Sequence, residues 1–341
     1  MKILMPFVWL IAIASPALGQ SLGLEASQSE QVVVGEARAI GQDGALEIFE
    51  LNVAETLQGE ARSRLVVVVN TRLSVHTDLP TGTRVLVHLN PAPASKSMDG
   101  VEARFGQPWI LRPAPLGTIE VDGDEGAEML ELARQMASVR SSGASTADSA
   151  RAWRSIFRQH IDTSSPRVLS SLARDIQSQP GALQELEAGD RNRVVDRILL
   201  AETALLPHLF QLAASLELKA AAAPILERTL ADDSGRLSVF AAGALQEIGA
   251  GSFEQVLTRL RRSEDPAETL KLAELAVGMN VTRALPVVRE RLDTMQGTAA
   301  VELLQVLRRV PTRITRGLLS EVAEDHDDEL VRTAARTLVG R

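Results

Sequence analysis

A spacing of 31 residues that recurs through the last third of the chain constrains its fold more than any other feature. Ile225, Val256, Val287 and Leu318 each stand 31 apart, and so do Leu226, Leu257, Val288 and Leu319. Later in each unit Ala242, Ala273, Leu304 and Ala335 keep the same step, as do Leu245, Ala276, Leu307 and Leu338. Two apolar stretches at helical spacing make each unit a helix pair. A lone pair has nothing to bury its apolar side against, so stacked neighbours must supply the core. One unit earlier Val194 and Val195 fit the first helix, whereas 207–218 matches the second less well.

Capping residues recur in the same register. Ser234, Asp265 and Asp327 share one column, with Gln296 the departure, and Asp265-Pro266-Ala267-Glu268 has an N-cap carboxylate, proline at the first helical position and glutamate at the third. The second helix of the last unit, Val331-Arg332-Thr333-Ala334-Ala335-Arg336-Thr337-Leu338, and Val239-Phe240-Ala241-Ala242-Gly243-Ala244-Leu245 before it, resemble the short HEAT-like repeats. The resemblance covers at least 220–341 and extends toward 150. It implies an α-solenoid that binds proteins through exposed helix faces; some relatives in that superfamily are bilin lyases, and fold alone does not carry function.

The first half reads differently. Gln31–Ile40, Ala45–Leu57, Arg64–Val69 and Arg84–Leu89 are rich in β-branched or alternating apolar residues, with turn chemistry at Gln42-Asp43-Gly44 and Leu79-Pro80-Thr81-Gly82. Val101–Phe105, Trp109–Leu111 and Thr118–Val121 read as further short strands, and Pro91–Gly100 as a long connecting loop. These strands predict a small antiparallel β barrel or sandwich over 21–121. Val34-Gly35-Glu36-Ala37, Leu57-Gln58-Gly59 and Gly82-Thr83-Arg84-Val85-Leu86-Val87 resemble the OB-type fold of the netrin-like and metalloproteinase-inhibitor families. Inhibition by zinc chelation does not carry over, because the chain lacks the N-terminal cysteine it requires. Over 122–149 the sequence predicts a helix with Met129, Leu132, Ala133 and Met136 on one face, then the linker Ser141–Thr146; helical repeats then fill 150–341.

Residues 1–19 have the pattern of a secretory leader: Lys2, an apolar Ile3–Ala14, and small residues ending at Gly19. The apolar run is too short to span a bilayer comfortably, so the expectation is cleavage after Gly19 and no membrane span thereafter. An exported chain with no cysteine has no disulfide or thiolate site, which favours a periplasmic or secreted protein of the bacterial envelope. Losing Lys2 takes the net charge from −8 to −9, the wrong sign for a nucleic-acid partner. With no tyrosine, and only Trp109 and Trp153 left after cleavage, stacking platforms for sugars or bases are not favoured either.

Chemistry-bearing motifs are scarce. The histidines form no metal-ligand spacing, His76 and His88 standing twelve apart in the β region. Glu324-Asp325-His326-Asp327-Asp328-Glu329 falls on an inter-helix turn and lacks the glycine-hinged order of a calcium loop. No nucleophile elbow or phosphate loop occurs, and Gly249-Ala250-Gly251-Ser252 reads as a helix junction. The basic group Arg308, Arg309, Arg313 and Arg316 is the candidate partner-binding rim. The expectation is a non-catalytic scaffold without cofactor that binds a protein or peptide; the alternative is an envelope enzyme or inhibitor working through the β domain.

Overall fold

The computed structural model describes residues 21–70, 79–111, 118–179 and 181–340. The leader expected over 1–19 and His76 lie outside these. The chain divides into two compact units, Met1–Glu187 and Ala188–Arg341. This boundary falls inside the stretch that reads as repeats in the sequence.

The N-terminal unit is built on a six-stranded sheet: β1 Gln31–Asp43, β2 Leu46–Gln58, β3 Arg64–Asn70, β4 Arg84–Pro91, β5 Pro108–Leu111 and β6 Thr118–Glu120. Its order is β1-β2-β3-β5-β4-β6, with β1 also pairing with β4. The pairs are antiparallel except β3 with β5, where Val66–Val68 run alongside Pro108–Ile110. The expectation of a small antiparallel barrel or sandwich is corrected at this pair: β5 runs antiparallel to its sheet neighbour β4 and therefore in the direction of β3. Where the β1–β2 register shifts, a Cβ on Gly35 would meet the Asn52 carbonyl oxygen at 2.5 Å, so only glycine lets the strands approach there.

Period-two alternation sorts the strand residues. Val33, Phe49, Leu51, Val67, Val85, Val87 and Trp109 share one buried cluster, while Leu46, Ile48 and Val68 share another with Val101. Val101 belongs to a helix, α2 Lys96–Phe105, not to the strand predicted over Val101–Phe105. Met98, Val101 and Phe105 are spaced i, i+3, i+7, a helical stripe that packs on the second cluster. Helix α2 also takes up the second half of the predicted Pro91–Gly100 loop.

Further helices complete this unit: α1 Leu22–Ser27, α3 Asp124–Ser141, α4 Thr146–His160, α5 Pro166–Ser178 and the short α6 Ala182–Glu185. The serine-rich stretch read as a linker is the turn between α3 and α4, which pack on each other. Glu55 of β2 and Arg134 of α3 form a two-pronged ion pair at 2.6–3.1 Å that ties strand to helix. It holds the Glu55 carboxyl below its usual range.

The C-terminal unit is helical: α7 Ala188–Leu200, α8 Leu206–Ser215, α9 Ala222–Leu230, α10 Leu237–Ile248, α11 Ala250–Arg262, α12 Pro266–Thr294, α13 Gly297–Arg308, α14 Arg313–Asp325 and α15 Glu329–Val339. Helix α12 is two helices joined at Asn280, whose backbone leaves the helical region (φ −158°, ψ 95°) and whose side chain caps the second part at the Arg283 N–H, 3.1 Å away. Its first part ends one repeat and its second part begins the next. Helices stack in two rows, α8–α10–α12–α13–α15 and α7–α9–α11–α12–α14, a solenoid-like arrangement. The columns of the 31-residue repeat are the core: Ile225, Val256 and Val287 are no more than 1% exposed, and Ala242, Ala273, Leu304 and Ala335 no more than 4%.

Among the described residues, no helix is long and apolar enough to cross a membrane.

Candidate functional site

The four arginines singled out by the sequence lie around one turn. Arg308 ends α13, Arg309 follows it, and after Pro311 the chain re-enters a helix at Arg313, with Thr312 and Thr315 forming a reciprocal capping box. Arg309 is a structural tie, since its guanidinium pairs with Glu274 on α12. Arg308, Arg313 and Arg316 are exposed, and among the described residues no carboxylate pairs with them.

Arg236 and Arg262 are likewise exposed without a carboxylate partner among the described residues, whereas several other cations of the array pair with a neighbouring repeat. Arg259 pairs with Glu227, Arg283 with Glu254, and Arg261 with Glu290 at 3.6 Å. Other cations cap the C-terminal carbonyls of helices in the preceding repeat: Arg228 donates to Leu199 and Ala201, Lys271 to Leu230, and Arg291 to Ser263, at 2.6–3.0 Å. The repeat register explains the pattern, because equivalent side chains meet equivalent helix ends.

Helix α14 reverses a charge order that several helices of the array show. In α7, α12 and α15 acidic residues sit in the first turn and basic ones in the last, as the helix dipole favours. Helix α14 has no acidic residue in its first turn and no basic one in its last. It starts with Arg313 and Arg316 and finishes with Glu321, Glu324 and Asp325. Each such placement is unfavourable by roughly a few tenths of a kcal/mol for an exposed charge.

The acidic turn after α14 is mostly capping. His326 is buried; its Nδ1 accepts the Asp328 N–H at 3.0 Å, so Nε2 donates to the Leu292 carbonyl, also at 3.0 Å. The cap of α15 is Asp328, one residue beyond the predicted Asp327 column, because the buried imidazole draws the turn inward. Asp328 accepts the Leu330 N–H at 2.8 Å and, from the preceding repeat, the Gly297 N–H at 2.7 Å. These bonds hold its carboxyl below the usual range. Asp328 thus supplies the cap that Gln296, which makes no side-chain capping bond, does not. Asp265 caps as expected, accepting from Ala267 and Glu268 at 3.2 Å. Among the described residues no three carboxylate or imidazole groups converge as metal ligands.

The N-terminal unit holds two buried polar centres that sequence reading missed. Asp175 of α5 is fully buried and accepts hydrogen bonds from the Ser21 hydroxyl, from the Ser171 hydroxyl at 2.9 Å, and from the Gly23 N–H. Burial pushes its carboxyl up, against the pull of these bonds and of Arg140. Any side chain at position 23 would collide with the Asp175 carboxylate and the Arg140 guanidinium. The signal was legible in principle: Asp175 falls on the apolar stripe of Val168, Leu169, Leu172 and Ile176. The other centre is His160, with Nδ1 3.5 Å from Glu128 and Nε2 3.2 Å from Gln135. Both ring nitrogens face α3 acceptors, which makes this a helix–helix brace; neither contact is a hydroxyl that a base would activate.

His88 is buried in β4, beside a narrow cleft bounded by Leu22, Val32, Met136 and Arg140, with only about 10 Å³ of room for a water-sized molecule. No family model, curated protein or solved structure matches the chain.

Proposed function

We propose that this chain is an exported, non-catalytic scaffold of the bacterial envelope that binds a protein or peptide through the surface of its helical repeats, which are HEAT-like in pattern. The observation that carries this reading is the leftover charge of the array. While several other arginines tie neighbouring repeats together, Arg308, Arg313 and Arg316 stand exposed around one turn without a carboxylate partner among the described residues. A rigid row of stacked helices presents such groups in fixed positions, which lowers the entropy lost on binding.

The test is affinity capture from periplasmic extract with the full chain, beside a variant carrying Arg308→Ala, Arg313→Ala and Arg316→Ala. A protein retained by the parent and lost by the variant supports the reading. No retained protein, or equal retention by both, overturns it. The alternative, an envelope enzyme or inhibitor working through the β region, predicts capture that the arginine variant leaves unchanged.

A further inference from the structure

The charge order of α14 finds its complement in a second copy of the same helix. We propose that this chain self-associates through α14, two copies packing antiparallel about a two-fold axis near Gly317 and Ser320.

Arg313, Arg316, Gly317, Glu321 and Glu324 are exposed and Ser320 is half-buried. At about 100° per residue they share one side of the helix, opposite the buried Thr315, Leu319 and Val322. Read along the helix, this side is basic, then small, then acidic. Arg313 and Glu324 stand roughly 16 Å apart along the axis. An antiparallel copy reverses the order, setting the arginines of each chain against the glutamates of the other. The two-fold makes every such pair occur twice. Gly317 and Ser320 at the crossing point keep the helices from being held apart by bulk.

The dipoles agree with this. Charges that oppose their own helix's dipole complement that of an antiparallel neighbour: the arginines come to lie beside its C-terminal carbonyls and the glutamates beside its N-terminal amides. Ile314, 50% exposed, adds apolar area at the rim. Glu321 already has Arg289 of α12 at 3.9 Å, but an acidic peptide from another protein would satisfy the basic end and leave Glu324 and Asp325 unanswered, whereas a second copy satisfies both ends. One helix face per chain is a small interface, so the dimer is weak and sensitive to salt.

The experiment is sedimentation equilibrium on the whole chain, up to about 100 µM, at low and high ionic strength. The parent is expected to dimerise reversibly at low salt and to dissociate at high salt. Arg313→Glu with Arg316→Glu makes the face acidic throughout, and Glu321→Arg with Glu324→Arg makes it basic. Both changes agree with the dipole of α14, so circular dichroism is expected to show an intact fold. Each double variant alone should self-associate at least about tenfold more weakly, the two mixed should form a heterodimer, and the fourfold variant should dimerise again. A parent that stays monomeric, double variants that still dimerise, or a mixture that does not associate would each overturn the proposal. It shares Arg313 and Arg316 with the scaffold reading but can fail separately: sedimentation of the purified chain tests self-association, and capture of a different protein tests the scaffold.

Discussion

In the N-terminal unit two of the polar contacts that brace the fold join very distant residues: Ser21 meets Asp175 across 154 positions, and Arg134 meets Glu55 across 79. In the C-terminal unit they recur near the repeat length, with Arg259 to Glu227 at 32, Arg283 to Glu254 at 29 and Arg291 to the Ser263 carbonyl at 28. One unit is therefore held by a few contacts that have no substitute. The other is held by many equivalent ones, and losing any of them weakens one joint of the stack. Burial differs too. The N-terminal unit hides the Asp175 carboxylate completely; the array nearly buries Asp190 of α7 but keeps the ion pairs between its repeats within reach of water.

The largest effect that bears on this contrast is expected at Asp175. Asp175→Ala leaves Arg140 without its buried counter-charge and Ser21, Gly23 and Ser171 without their acceptor, for a loss of roughly 3 kcal/mol. Chemical denaturation measures it, and limited proteolysis should then cut within 21–30, where the chain leaves its mooring. Asp175→Asn keeps one acceptor oxygen and is expected to lose less than half as much. Equal stability of the alanine variant and the parent would show that the N-terminal mooring does not depend on Asp175.

Next in size is a pair of substitutions in one repeat column. Leu307 is fully buried, while Leu338, 31 residues on, is half-buried because no further repeat covers it among the described residues. Leu307→Ala should cost about 3 kcal/mol and Leu338→Ala under about 1 kcal/mol. Hydrogen exchange should place the first loss in α12 to α15 and leave the N-terminal sheet unchanged. Equal losses at the two positions would break the repeat account.

Smaller still is the response to acid, which has opposite signs in the two regions. Asp175, with its carboxyl raised by burial, contributes stability that is fully present below its unfolded pKa and lost as pH rises through the folded one. Asp328 and Glu329, held low by hydrogen bonds and by Arg332, contribute stability above their unfolded values that is lost as pH falls through the folded ones. Glu55 in the N-terminal unit behaves like them. Lowering the pH from neutral toward the ordinary carboxylate range should therefore protect α1 and α5 without affecting α13 and α15, and only below that range, about pH 4, should the starts of α13 and α15 exchange faster. Residue-resolved exchange measures both, and Asp175→Asn should flatten the first response alone.

The repeat, its buried columns and the Asp265 cap were legible in the sequence because each is a local pattern multiplied by copying: a residue's neighbours in space are its neighbours in the period. The main strands were legible for the same reason, as alternation reports one face of a sheet. Helix α2 was misread because Met98, Val101 and Phe105 are sparse, and five residues of mixed character fit either period. The arginine turn was found, but not that Arg309 is spoken for by Glu274 while its three neighbours are free of such pairs.

Sequence by itself thus determined the helix pairs, their register, the strand positions and the charge order of α14, since all of these follow from spacing along the chain. Tertiary structure alone decided that β5 runs parallel to β3, that α3 to α6 join the sheet in one unit, that Ser21 lies against Asp175, and that Asp328 caps a helix of the repeat before its own. These contacts are single and distant, and they come from the packing of whole elements. Nothing in the local spacing of Ser21 or Asp175 encodes the other, so only the folded chain brings them together.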